Sequence, residues 1–358
     1  MTAEPAPSTP PLPLDVAAVE AWASAHAPGF RGPATATKFP TGQSNPTYLV
    51  ETPDKKYVLR RKPPGKLLKS AHAVDREFRV LSALQRVGFP APRPIALCED
   101  DAVVGSAFYL MEHVEGRIFW DPALPELALE QRRPFFDAMC QGLADLHKID
   151  VAAVGLSDYG KPGSYFARQL QRWTEQYRAS ETATVADMDH LIAWLAEHVP
   201  ADDGRVALVH GDYRLDNMIF DTNEPRLRAV LDWELSTLGH PFADLAYQCM
   251  QWRMPSAIVE GPARIGESKG LAGIDRKAIG IPTEAEYVAD YCRRAGISGV
   301  PDWPFLLAFC FFRYASIAQG VYKRALDGNA SNPIRGRKLG EAVPLMARLA
   351  VEIVEKGA

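Results

Sequence analysis

The chain has almost no excess charge of one sign and no long apolar run. Among its 358 residues, Lys and Arg total 40 and Asp and Glu total 44, a formal net charge of −4. So little charge gives no bulk attraction to nucleic acid or to a membrane surface, and we predict neither partner. The strongest apolar run, residues 305–312, is eight residues long, whereas a membrane-spanning helix needs about 20.

Paired cysteines and a secretory signal are also missing from the sequence. The five cysteines are scattered without any CxxC spacing, which argues against a disulfide framework or a zinc site and indicates a cytoplasmic location. The N-terminus lacks a basic start followed by an apolar stretch, and five of its first 13 residues are proline. We therefore predict a disordered leader over residues 1–14. The oligomeric state is left open.

Hydrophobic residues make up 47% of the chain, enough for a sizeable core, and the length favours two lobes. The first lobe is predicted over residues 15–115 as a small antiparallel sheet with one helix packed on it. Its elements are a short helix over 16–25, strands on either side of a polar turn within 38–50, a strand over 57–60, a helix over 71–87, and strands near 95–97 and 108–114.

The second lobe, residues 116–358, is predicted to be mainly helical. One helix carries its apolar face from Phe135 to Leu146, and another opens with a capping box at 283–286. Two more are predicted over 305–326 and 340–354. Between the helices lies an island of strands at 206–209, 218–220 and 227–231. The fold class is therefore α+β, with two lobes of unequal size.

The strand island carries the chemistry. Asp212 follows an apolar strand, Asn217 enters the next strand, and Asp232 leaves the strand after that. Because a hairpin brings its outer ends together, Asn217 and Asp232 should lie close in space. Their oxygen atoms suit Mg²⁺, which takes a few protein oxygens together with phosphate and water. Asp212 would stand beside them as a base for a hydroxyl group, with Glu234 as an indirect helper.

This spacing resembles the H-R-D-x-x-x-x-N element and the metal-binding aspartate of protein kinases. The variants His210-Gly211-Asp212 and Asp232-Trp233-Glu234 resemble instead the aminoglycoside phosphotransferase and choline kinase branch. An ordinary loop and hairpin with surface carboxylates is the alternative. Further segments are similar to the kinase-like domain fused to some acyl-CoA dehydrogenases, namely GQSNPTY, VLRRKPPG, AHAVDREFRVLSAL, FYLMEHVEG, YRASET, HGDYRLDN and AVLDWELSTLGHP. The resemblance implies a bilobal protein-kinase-like fold that uses ATP and Mg²⁺.

The first lobe supplies candidate nucleotide-binding residues. Backbone N–H groups of the turn between the first strands, and the Ser44 hydroxyl, are placed to contact phosphate; an ordinary hairpin turn is the alternative. Arg60 stands where kinases carry the phosphate-binding lysine, with Lys62 as the second choice. Glu77 is its natural partner, unless it is only a carboxylate at the edge of the helix stripe. The turn residues in question are Gly42, Gln43, Ser44 and Asn45.

Other roles follow from the resemblance alone. Backbone groups of Glu112 and Val114 would read the adenine edge, with a plain connecting segment as the alternative. Arg214 corresponds to the catalytic-loop lysine that steadies the transferred phosphoryl group, unless it simply faces solvent. His210 and Asp244 are expected to be scaffolding, Asp244 by binding the catalytic loop, which is the polar segment over residues 210–217.

The implied reaction is phosphorylation of a hydroxyl on an acyl-CoA, with 4-hydroxyacyl-CoA as the substrate by analogy. A separate acyl-CoA dehydrogenase would then be a partner. Only 12 residues separate Asp232 from Asp244, too few for an activation loop, so a peptide substrate is not expected. The alternatives are an aminoglycoside-like or amino-alcohol acceptor, or a catalytically silent nucleotide-binding module. Basic residues that would suit coenzyme A phosphates, or form an exposed helix face, are Lys161, Arg168, Arg172 and Arg178.

Overall fold

The structure is a computed structural model that describes residues 14–39, 45–63, 73–256, 270–328 and 332–357. The chain divides into two compact units, Met1–Val114 and Glu115–Ala358. This division falls one residue before the boundary expected from the sequence. Of the expected leader, only Leu14 belongs to the described residues.

The first unit is built on a five-stranded antiparallel sheet in the order β1-β2-β3-β5-β4. Tyr57 and Leu59 on the central strand point into a core shared with the first helix, whereas Val58 and Arg60 belong to the opposite face, as strand alternation predicts. The elements are α1 (Val16–His26), β1 (Thr35–Lys38), β2 (Thr47–Glu51), β3 (Lys56–Arg61), α2 (Val74–Arg86), β4 (Pro94–Cys98), α3 (Asp101–Val104) and β5 (Phe108–Glu112).

Helix α2 carries a carboxylate on its buried face. Val74, Glu77, Leu81 and Leu84 recur at helical spacing and are all buried, so Glu77 belongs to the stripe that packs against the sheet. The helix ends at Arg86, and Gly88, the expected stop, has a φ of 67° that favours glycine. The start expected at residue 71 lies outside the described residues.

The second unit is mainly helical, with two small two-stranded antiparallel sheets: β6 pairs with β9, and β7 forms a hairpin with β8. The strand island is confirmed, while α5, α6, α7 and β9 had no individual prediction. The elements are α4 (Leu129–His147), α5 (Tyr165–Ser180), α6 (Ala186–Glu197), β6 (Ala207–Val209), β7 (Met218–Phe220), β8 (Leu227–Val230), β9 (Thr237–Gly239), α7 (Phe242–Arg253), α8 (Glu284–Ala295), α9 (Trp303–Leu326) and α10 (Pro333–Lys356).

Helix α9 is the central helix of this unit and packs against α5, α7 and α10. It is also long and apolar enough, by length and composition, to cross a bilayer. Because 78% of its most apolar window is buried inside the fold, that match is weak evidence for a membrane span.

Candidate active site

A buried carboxylate on α7 fixes the backbone of the catalytic loop. Asp244 accepts the backbone N–H of His210 at 2.6 Å and that of Gly211 at 2.8 Å, and it is 1% exposed. Burial alone would raise the pKa of Asp244, but the hydrogen bond from His147 and the backbone N–H groups outweigh it and hold this pKa below its usual range. The expected scaffolding role of Asp244 is confirmed.

The glycine of the loop is required by space as well as by backbone conformation. Gly211 has a φ of 82°, and a Cβ added to it would lie 2.7 Å from the carbonyl oxygen of Leu235. Any side chain here would both adopt a disfavoured conformation and push against backbone. The loop therefore depends on glycine at this position.

His210 ties the catalytic loop to the end of the hairpin. Its ring Nε2 lies 2.8 Å from the Leu231 carbonyl oxygen, and its Nδ1 lies 3.1 Å from the backbone nitrogen of Asp212. Since a backbone N–H can only donate, Nδ1 accepts and Nε2 carries the proton. The ring thus links Asp212 to the residue that precedes Asp232, and its scaffolding role is confirmed.

The two ends of the hairpin meet as expected. The Leu231 N–H donates to the Asn217 carbonyl oxygen at 2.8 Å, which places Asp232 next along the chain. Asp232 has a φ of 65°, a left-handed conformation that Asp adopts more readily than most residues. The backbone at the end of β8 therefore turns sharply at the predicted metal ligand.

The Asp212 carboxylate is held at both oxygens. Tyr247 donates its hydroxyl to Oδ1 at 2.6 Å, and Asn217 donates its side-chain amide to Oδ2 at 2.8 Å and to the Asp212 carbonyl oxygen at 3.0 Å. Burial raises the pKa of Asp212, with the Asp232 charge adding to the rise, while Arg214 and the Tyr247 hydrogen bond oppose it. An oriented, partly desolvated carboxylate is what a general base for a hydroxyl group requires.

Arg214 is engaged within the loop rather than left open to solvent. Its guanidinium makes two contacts with the Asp216 carboxylate, through Nε and Nη2. Burial alone would lower the pKa of Arg214, but the Asp216 charge outweighs it and raises this pKa. A role at the transferred phosphoryl group stays a prediction.

The residues that could hold Mg²⁺ are Asn217 and Asp232. Within the described ranges, no group of three or more His, Cys, Asp or Glu side chains is arranged to hold a metal ion. One amide oxygen and one carboxylate nevertheless fit Mg²⁺, because this ion usually binds one or two protein groups and completes its shell with phosphate and water. The donor set therefore suits a nucleotide-bound ion.

The first unit contains a buried polar cluster centred on Glu77. Its Oε2 lies 2.8 Å from the Arg60 Nε and accepts the Tyr109 hydroxyl at 3.0 Å, while Oε1 accepts the Asn45 amide at 2.8 Å. Glu77 is 1% exposed, and Arg60 and Tyr109 are paired across β3 and β5. The expected Arg60–Glu77 pair is confirmed, and the edge-carboxylate alternative is wrong.

Only some of the other predicted nucleotide-binding residues belong to the described part of the chain. Asn45 points its amide at Glu77, while Gly42, Gln43 and Ser44 lie outside the described residues. Glu112 ends β5, donates its N–H to the Arg93 carbonyl oxygen at 2.9 Å and accepts the Arg93 N–H at 3.0 Å. The nucleotide-binding roles of these residues, and of Val114, the last residue of the unit, stay predictions.

A small cavity of about 40 Å³ adjoins the catalytic loop. Tyr247 lines it and also contacts Asp212, so the cavity lies beside the candidate base. Among its described lining residues the one Asp or Glu is Asp216, which is already paired with Arg214. Apart from Asp216 and Arg214, the described lining is aromatic, amide or apolar and includes Trp120, Gln248, Gln251 and Tyr314.

Tyr247 is the site residue that sequence reasoning missed. It lies three residues after Asp244 on α7, so the two side chains share a helix face. Because Asp244 was expected to bind the loop, the polar residue one turn further along was the available signal.

The family of the protein follows from comparison with known proteins. Residues 35–309 match the phosphotransferase enzyme family, and the chain belongs to it. It is 46% identical over 325 residues to mouse acyl-CoA dehydrogenase family member 10, covering 91% of this chain and 30% of that protein. The chain thus spans less than half the length of the curated relatives that it matches.

Solved structures agree with this assignment. A crystal structure from Ralstonia eutropha, provisionally described as an aminoglycoside phosphotransferase, is 45% identical with a TM-score of 0.83, covering 96% of this chain and 99% of that one. A spectinomycin phosphotransferase in complex with ADP and spectinomycin has a TM-score of 0.62 at 12% identity, covering 95% and 98%. The second likeness shows the fold alone. The chain is a kinase-like phosphotransferase with the predicted α+β fold.

Proposed function

We propose that this phosphotransferase is an ATP- and Mg²⁺-dependent kinase of a small hydroxylated acyl-CoA, with 4-hydroxyacyl-CoA as the model substrate. The observation that carries the kinase assignment is the Asp212 carboxylate, fixed by Asn217 and Tyr247 and brought close to Asp232 through Leu231. This arrangement supplies a base and two candidate metal ligands on one loop and hairpin.

In this mechanism Asp212 acts on the acceptor hydroxyl. The hydroxyl oxygen forms a bond to the γ-phosphorus of ATP, the bond from that phosphorus to the β,γ-bridging oxygen breaks, and ADP leaves. Asp212 accepts the hydroxyl proton as the oxygen attacks. When bound to Asn217 and Asp232, Mg²⁺ would neutralise phosphate charge. The protein's main contribution is the positioning of these groups.

The buried cluster of the first unit supports the nucleotide assignment. The Glu77 carboxylate fixes Arg60, so its guanidinium is oriented before any ligand arrives. Arginine binds phosphate through two parallel hydrogen bonds, and an oriented side chain loses less entropy on doing so. We therefore assign Arg60 rather than Lys62 to the ATP phosphates.

The choice of acceptor draws on the curated relatives. The names of the curated relatives point to acyl-CoA chemistry, and a separate acyl-CoA dehydrogenase acting on the same acyl-CoA is the proposed partner. The basic residue Arg178 gives no added support, because Glu181 and Asp189 neutralise it.

The test is transfer of labelled γ-phosphate from ATP to a panel of acceptors. The panel contains 4-hydroxyacyl-CoA, the same acyl-CoA without its hydroxyl, spectinomycin and choline, with Mg²⁺ present throughout. We expect label on the 4-hydroxyacyl-CoA alone. Label on spectinomycin or choline instead would overturn the proposal that an acyl-CoA is the acceptor. ATP binding without label on any acceptor would favour a catalytically silent nucleotide-binding module.

Matched variants test the assigned residues. Asp212→Ala and Asp232→Ala are expected to abolish nearly all turnover, because the first loses the base and the second a candidate metal ligand. Asp221→Ala is the control, since Asp221 lies in the turn of the same hairpin and pairs with Arg226. Turnover close to wild type in either of the first two variants would contradict the assignment.

A further inference from the structure

Helix α7 contacts the catalytic loop at two levels. Asp244 binds the loop backbone, and Tyr247, one turn later on the same face, binds the Asp212 side chain. The same helix therefore fixes both the backbone position of the loop and the orientation of the Asp212 carboxylate.

Of the two groups that hold the Asp212 carboxylate, only Asn217 has a second predicted role. Asn217 contacts it through the amide nitrogen while its amide oxygen is the predicted metal ligand. Tyr247 has no such second assignment, and its hydroxyl contact to Oδ1 is the shorter of the two at 2.6 Å. Since each carboxylate oxygen can accept more than one hydrogen bond, both contacts leave room for an acceptor hydroxyl.

Tyr247 is itself held in place. The Arg313 guanidinium carbon lies 5.6 Å from the centre of the Tyr247 ring and 5.6 Å from that of Trp173. Arg313 is 5% exposed, so this cation stands between two rings in the interior. Cation–π contacts are strongest when desolvated. This contact restrains the Tyr247 ring in addition to the hydrogen bond that its hydroxyl donates to Asp212.

From this geometry we propose that Tyr247 is a positioning residue, whose hydroxyl holds the Asp212 carboxylate in the orientation that receives the acceptor's proton. The inference rests on the proposed kinase function. It assigns Tyr247 no contact with the reacting atoms; the residue acts through Asp212.

The test is Tyr247→Phe, which keeps the ring and removes the hydroxyl. With Mg·ATP and 4-hydroxyacyl-CoA, we expect kcat to fall about 10- to 100-fold, the scale of one hydrogen bond to a charged group. The KM for ATP and the Kd of Mg·AMP-PNP should stay within about twofold of wild type, because Tyr247 does not hold the nucleotide. Tyr322→Phe, the same change on α9 away from Asp212, is the control and should leave kcat unchanged.

A double variant separates positioning from a general structural effect. If Tyr247 works through Asp212, adding Tyr247→Phe to Asp212→Asn should cause no further loss of kcat. A kcat for Tyr247→Phe within about threefold of wild type would overturn the inference alone. So would an additive loss in the double variant, or a loss that accompanies weaker AMP-PNP binding and a lower Tm. A wild-type protein that phosphorylates none of the panel would overturn the proposed function, and the inference with it.

Discussion

The Glu77 cluster makes a quantitative prediction about stability. In Glu77→Gln the side chain loses its charge while Arg60 stays beside it. An NH2 group also replaces one of the two carboxylate oxygens, and it cannot accept the hydrogen bond that the neighbouring side chain donates there. Removing one partner of a buried ion pair costs about 3–5 kcal/mol, because the remaining charge is left uncompensated. Since the Arg60 side chain is only 12% exposed, solvent screens its remaining charge weakly, and we expect a loss of this size in the free energy of unfolding of the first unit.

The assay is urea unfolding followed by circular dichroism, with Glu51→Gln as the matched control. Glu51 lies on β2 of the same unit and is 41% exposed where it faces Lys56 at 3.5 Å, so its loss should change the unfolding free energy by less than about 1 kcal/mol. The Kd for ATP should also rise in Glu77→Gln, because Arg60 is no longer fixed. If Glu77→Gln proved as stable as the control, the buried pair would not hold the unit together as argued.

Two further predictions concern the catalytic loop. Gly211→Ala should lower both Tm and kcat, since the added Cβ meets the Leu235 carbonyl oxygen at 2.7 Å. Calorimetry measures the Tm and the transfer assay measures kcat. A variant with wild-type Tm and kcat would refute this prediction. Because the folded pKa of Asp244 is depressed, its ionised form contributes stability above the unfolded pKa of about 3.9, and that contribution is lost as pH falls through the folded pKa. The difference in free energy of unfolding between wild type and Asp244→Asn should therefore become smaller below about pH 4, as measured by unfolding at a series of pH values. A difference that does not change with pH would contradict this prediction.

Local signals in the sequence predicted the elements that they govern. The capping box at Thr283 is present, with the Glu286 N–H donating to the Thr283 hydroxyl at 3.2 Å and the Thr283 N–H donating to the Glu286 carboxylate at 2.8 Å. Helix α7 had no such signal, because residues from Phe242 to Trp252 are buried nearly all round and leave no polar face to give a helical period. Its existence depends on packing against α8 and α9.

The candidate site likewise contains contacts that the sequence predicted and contacts that it did not. Asp212 and Asn217 are five residues apart, and that spacing predicted their meeting before any contact was seen. Asn45 and Glu77 are 32 residues apart, and nothing in either segment signals that the Asn45 amide turns toward the carboxylate rather than toward a phosphate. Contacts across such distances are set by strand register and helix packing, which the pattern of a single segment does not contain.

The catalytic loop has little regular structure of its own, yet phosphoryl transfer requires its groups to be held closely. Its backbone N–H groups are bound by a buried carboxylate, and hydrogen bonds to an ionised acceptor are about twice as strong as neutral ones. The loop therefore takes its rigidity from α7, which is in turn packed against α9, where the Cys310 thiol lies 3.6 Å from the Ala243 carbonyl oxygen beside Asp244. The apolar length of α9 is explained by this position: it is the support on which the helix that holds the catalytic loop rests.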